Sequence, residues 1–167
     1  MHLVRDALPH TRGPAKLKVV GIGNAWRSDD SVGLVVAKRL REVLPESVEV
    51  FEREGEPTSL IETWADAEAL WLVDAVSSGI RPGTVHRLDA SHAELPAQFA
   101  GGSTHHLSLG EAVAMARALG RLPKHVVVFG VEGEKFEVGR HLTPEVAAAV
   151  PVVVAAVRDE VQRSTEC

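Results

Sequence analysis

The chain has 167 residues, 45% of them hydrophobic and 25% charged, with 18 Lys and Arg against 23 Asp and Glu for a formal net charge of −5. That size and balance fit one globular domain with a full core, and a negative chain without a long basic run is not a general nucleic-acid binder. Its single cysteine, Cys167, excludes an internal disulfide framework and a cysteine-held metal cluster, so a reducing, cytoplasmic setting is expected.

In chain order, residues 1–16 mix Pro, Gly, His and charges without period and read as a flexible N-terminal extension with no signal-peptide core. Leu17 to Ile22 reads as a strand buried on both faces. Ser31 to Leu44 reads as a helix, with Val32, Val36, Leu40 and Val43 at helical spacing. Val48 to Phe51 is a short strand, and Pro57 to Asp66 a short helix with Leu60, Ile61 and Trp64 inward. Ala69 to Val73 is a buried strand ended by Asp74, and Thr84 to Leu88 an antiparallel edge strand after the turn Arg81-Pro82-Gly83. Ser108 and Glu111 form a capping box for a helix running to about Leu119, which Gly120 stops. Val126 to Val131 is another apolar strand. Thr143 and Pro144 open a last helix with a valine stripe from Val146 to Val161, kinked at Pro151; its apolar run is too short to span a bilayer. This alternation predicts an α/β fold: a mostly parallel five-stranded sheet, one antiparallel edge, and helices on both faces.

Three places hold polar residues where chemistry is usually done in such sheets, at the carboxyl ends of the strands. The first follows Gly21-Ile22-Gly23-Asn24, where glycines allow positive φ and close backbone approach. There Asp29 and Asp30 stand side by side, and helix capping accounts for one carboxylate but not for two. The second is Asp74, which reads equally as a site acid or as a turn residue bonding its own backbone. The third is the pair His105-His106, solvated loop histidines unless an acid or a metal gives them context. The remaining histidines are scattered and form no i, i+4 pair. The dinucleotide fingerprint fails at Trp26, and there is no phosphate-binding loop or serine elbow.

In order and spacing these residues resemble the hydrogenase maturation endopeptidases, which trim the C-terminus of the nickel–iron hydrogenase large subunit. The carriers are Gly21-Ile22-Gly23-Asn24 with Asp29-Asp30-Ser31-Val32-Gly33; Val73-Asp74-Ala75-Val76 with Pro82-Gly83-Thr84; and Ser103-Thr104-His105-His106-Leu107. Further carriers are Val126 to Glu132 and Leu142-Thr143-Pro144-Glu145. The match runs from about residue 18 to 162 within a domain placed at 17–163. The resemblance implies a metal-contacting and catalytic trio of Asp30, Asp74 and His105, with His105 favoured over His106 because it directly follows the Ser-Thr pair. It implies that the metal is nickel already seated in the precursor large subunit, not a standing cofactor. It also implies an endopeptidase of aspartic type, acting as a monomer with that precursor as its partner. Nickel would position the peptide or polarise its carbonyl; a carboxylate acting directly as general base is the competing version. Where many relatives carry an Asp-Gly-Gly-Thr-like stretch that reads the partner, this chain has Arg53-Glu54-Gly55-Glu56-Pro57-Thr58, so the hydrogenase subgroup stays open. Two other functions remain in view: a non-catalytic checkpoint chaperone that docks on the metal centre, and a small-molecule-binding domain in which the acids only cap helices.

Overall fold

The strands and helices follow from where apolar residues recur. In the computed structural model, which describes residues 13–96, 99 and 109–166, the strands are β1 (Leu17–Ile22), β2 (Val48–Arg53), β3 (Ala69–Val76), β4 (Val85–Asp89) and β5 (His125–Glu132). The helices are α1 (Val32–Val43), α2 (Pro57–Trp64), α3 (Leu109–Ala118) and α4 (Pro144–Thr165), with a short 3-10 turn at Ser28–Ser31. One sheet in the order β2-β1-β3-β5-β4 joins all five strands, and only β4 runs antiparallel to its neighbour. The expected α/β architecture, antiparallel edge included, is the one found.

Both faces of the sheet are covered, as continuous apolar strands require. Alternate residues divide between two cores. Leu17, Val19, Trp71, Val73, Phe129 and Val131 pack against α1 and α4. Val20, Ile22, Leu70, Leu72, Val126 and Val128 pack against α2 and α3. On α1, Val32, Val36 and Leu40 are fully buried, but Val43, predicted inward, is 46% exposed at the last residue of the helix. Lys18 sits inside an otherwise apolar strand. It is buried to 5%, its aliphatic stem lies in the wall, and its ammonium escapes to the Thr63 carbonyl (2.8 Å) and the Asp66 carboxylate. Lys16 grips the same carboxylate at 2.7 Å, which ties the start of β1 to the end of α2.

Several boundaries differ from expectation. β3 continues three residues past Val73 because Asp74, Ala75 and Val76 pair with Gly130, Val131 and Glu132 of β5, so Asp74 lies within a strand and not at its end. α2 stops at Trp64, two residues early, with Asp66 taken up by the two lysines. Thr143 precedes Pro144 at the start of α4 as expected, but its hydroxyl does not cap the helix; it is bound to Asp29 instead. α4 is one helix through Pro151, which lies exposed on its outer side. The first twelve residues of the expected extension, the capping serine Ser108, both loop histidines and Cys167 lie outside the described residues.

Candidate active site at the carboxyl rim

The strand order places a topological switch between β1 and β3, because the chain leaves β1 toward β2 on one side and returns to β3 on the other. The crevice above such a switch is where ligands sit in open α/β sheets. Both predicted acids are delivered to it, one by the loop after β1 and one by β3.

Glycines set the first acid in place by permitting contact. A Cβ on Gly33 would stand 2.2 Å from the Ile22 carbonyl oxygen and 2.4 Å from that of Val73. One on Gly21 would stand 2.1 Å from the Gly33 carbonyl oxygen, and one on Gly23 2.1 Å from that of Asp30. The first turn of α1 therefore rests directly on the ends of β1 and β3, a distance no side chain allows. None of these three glycines adopts a positive φ; the left-handed residue of the loop is Ser28 (φ 51°). Its hydroxyl donates to the Glu137 carbonyl (2.9 Å) and its amide to the Gly139 carbonyl (2.9 Å), which hold it there.

The adjacent aspartates have opposite jobs. Asp29 is fully buried. Its carboxylate accepts the amides of Glu134 (2.8 Å), Lys135 (2.9 Å) and Thr143 (2.8 Å) together with the Thr143 hydroxyl. It is the peg on which the whole β5–α4 loop hangs. Burial pushes its pKa up, but these donors more than reverse that and leave it below the ordinary carboxylate value. Asp30, one residue on, is half-buried and caps nothing: Ser31 occupies the N-cap of α1, with no side-chain cap bond. Burial raises the Asp30 pKa against the opposing pull of the Arg27 guanidinium and the Asn24 amide.

Asp74 is half-buried on the α2/α3 side of β3, and one of its oxygens accepts the adjacent Ala75 amide at 2.8 Å. Its pKa stands well above the ordinary value, first because the site desolvates it and then because the Asp30 charge is near. Among the described residues neither Asp30 nor Asp74 has an ion-pair partner. Two acids at one rim whose proton affinity is raised, Asp30 by burial and Asp74 by burial and by the Asp30 charge, are poised for a cation or for proton transfer. His105 and His106 lie outside the described residues, and α3 begins at Leu109, three residues after His106.

Sequence reasoning passed over Glu132, the fully buried acid at the end of β5. It accepts the Ser78 amide (3.1 Å) and hydroxyl, and its Oε1 lies 3.1 Å from His86 Nε2. It thus locks the β3–β4 loop to the edge strand. The available signal was the same as for Asp74, an acid directly after an apolar run in the sequence.

A mostly parallel α/β sheet with two carboxyl groups at its topological switch, neither ion-paired among the described residues, defines a class of small α/β proteins with an acidic rim site. Comparison with known proteins makes the class specific: the hydrogenase maturation protease family matches residues 34–160, so this chain belongs to that family. It is 32% identical over 152 residues to the hydrogenase 2 maturation protease of Escherichia coli K12, covering 86% of this chain and 92% of that protein. It is 30% identical over 141 residues to the hydrogenase expression/formation protein HupD of Thiocapsa roseopersicina, covering 81% and 62% respectively. Its fold superposes on the hydrogenase maturating endopeptidase HybD of E. coli with a TM-score of 0.78 at 29% identity, over 89% of this chain and 93% of that one.

Proposed function

We propose that the chain is an endopeptidase that removes the C-terminal extension from the nickel-loaded precursor of a nickel–iron hydrogenase large subunit. In this reading Asp30, Asp74 and His105 face the nickel that the precursor brings. The observation that carries it is the pairing of Asp30 and Asp74: two neighbouring carboxyl groups at the switch crevice, each spared from the structural work that Asp29 and Glu132 perform. Two oxygens and an imidazole suit nickel, which accepts both ligand types. A divalent cation between the carboxylates would also relieve their repulsion and bring both pKa values down. A precursor without nickel offers no such relief and is not aligned for cleavage.

The hydrolysis adds water across one amide bond, the oxygen going to the carbonyl carbon and a proton to the leaving nitrogen. A carboxyl group held above its ordinary pKa is suited to handle that proton, so a direct acid–base role for Asp74 is the second reading. Mass spectrometry of nickel-loaded precursor incubated with wild type, Asp30→Asn, Asp74→Asn and His105→Ala tests the proposal. Wild type should release the C-terminal peptide, each variant should lose at least about a hundredfold in rate, and nickel-free precursor should stay intact. An unchanged precursor mass with the wild-type chain would overturn it. Retained precursor binding in Asp74→Asn with lost cleavage would favour the acid–base reading over the ligand one.

A further inference from the structure

Beside the acid pair the rim carries an exposed aromatic platform that no step of the chemistry above uses. Trp26 is 59% exposed, although the chain's other two tryptophans, Trp64 and Trp71, are 0% and 4% exposed. The Arg140 guanidinium lies 4.8 Å from the centre of its ring, a cation–π stack. Val138, two residues before that arginine, is 91% exposed. The platform is held rigidly. The Trp26 amide donates to Asn24 Oδ1 (2.9 Å), the Gly139 amide to the Trp26 carbonyl (2.9 Å), and the Ser28 amide to the Gly139 carbonyl (2.9 Å). Arg27 and Gly139 make a parallel bridge between the two segments, and the Arg27 Nε donates to the Phe136 carbonyl at 3.0 Å. Both segments are fastened to the site itself, one through the Asn24 amide to the Asp30 carbonyl (3.3 Å), the other through Asp29.

Ordering a loop around an indole that stays in water gains no burial for the folded chain. Rigid, exposed Trp and Arg side chains are instead the residues that dominate binding energy where proteins meet. Among the described residues, three of the four large exposed hydrophobics outside helices and strands, Trp26, Ile80 and Val138, follow β1, β3 and β5 at the carboxyl rim; the fourth, Leu119, lies in the turn after α3. Arg140 has no acidic partner among the described residues. We propose that the Trp26–Arg140–Val138 platform is the docking surface for the precursor polypeptide, next to the bond that is cut. It fits a segment that lays an apolar side chain on Trp26 and Val138 and offers a carboxylate or backbone carbonyl to Arg140. This rests on the peptidase reading for the identity of the partner, and on continuity with the acid pair for its position.

The chain labelled with 5-fluorotryptophan has three fluorine resonances, that of Trp26 assigned by Trp26→Phe. Titration with unlabelled nickel-loaded precursor should shift the Trp26 resonance and leave those of Trp64 and Trp71 in place. In cleavage assays Trp26→Ala, Arg140→Ala and Val138→Asp should raise KM about tenfold or more and change kcat by less than about twofold. All three side chains are exposed, so the melting temperature should stay at the wild-type value. An unmoved Trp26 resonance at saturating precursor, unchanged KM in all three variants, no precursor binding at all, or shielding of Trp26 by self-association of the chain alone would each overturn the proposal. A chain that binds precursor through Trp26 and leaves its mass unchanged sinks the peptidase reading and keeps the docking surface; one that cleaves with Trp26 untouched does the reverse.

Discussion

Asp29 and Asp30 share a side chain and differ by one position, yet their environments send their pKa values in opposite directions. Asp29 is charged and saturated with donors, so it contributes stability. Its folded pKa lies below the unfolded value near 3.8. The contribution is therefore complete above that value and disappears as pH falls through the folded pKa. Asp29→Asn keeps the shape but turns an amide group toward donors, and should cost about 2–4 kcal/mol in urea unfolding at neutral pH. The gap to wild type should narrow as the pH drops below about 4. Asp74 has the reverse sign. Its folded pKa is above the unfolded value near 3.8, so ionisation of the unfolded chain draws stability away as pH rises from there to the folded pKa. Asp74→Asn should accordingly raise the melting temperature of the metal-free protein at neutral pH, with no gain below about pH 4, while abolishing cleavage. A variant that melts lower than wild type at pH 7 would contradict the strain assigned to this carboxyl group. Both outcomes together would mark a function-for-stability exchange at a single side chain.

At the scale of elements, the site is built by the contact of α1 with the ends of β1 and β3. Gly33→Ala tests it, because the new methyl group would collide with two backbone carbonyls that cannot swing aside. The expected cost is about 2–3 kcal/mol in chemical denaturation. The loss of cleavage, measured where the variant is still folded, should exceed what the folded fraction explains, since Asp30 is displaced with the helix. The elements themselves were largely legible. Apolar runs marked the strands of the sheet, and the spacing of Leu60, Ile61 and Trp64 marked the buried face of α2. The misses share a cause. The end of β3 was set at the first polar residue, but pairing with β5 decides strand length, and no local pattern records it. Thr143 was taken for a cap from its place before Pro144, but a buried carboxylate 114 positions away in sequence claims its hydroxyl.

At the scale of the whole molecule, the place of Asp30 and Asp74 at the rim was legible because each follows an apolar run, one of them through Gly-x-Gly-Asn; the strand order that makes a switch crevice there was not. That Asp29 turns inward while Asp30 does not was illegible: two consecutive carboxylates read alike until the partner loop is in view. The same holds for Glu132, whose partners Ser78 and His86 come from two other parts of the chain. No described helix is long and apolar enough to cross a membrane. The division of labour between the paired aspartates has a consequence for how this chain can vary. Because the inward acid is pinned from the far end of the sequence, the count of residues from Gly23 to Asp29 works as a ruler. Losing or gaining one residue there would swing the outward acid to the wrong side of the backbone, however well its chemistry were kept. Length drift among relatives should therefore be absent from this short span and gather in loops that no buried anchor measures.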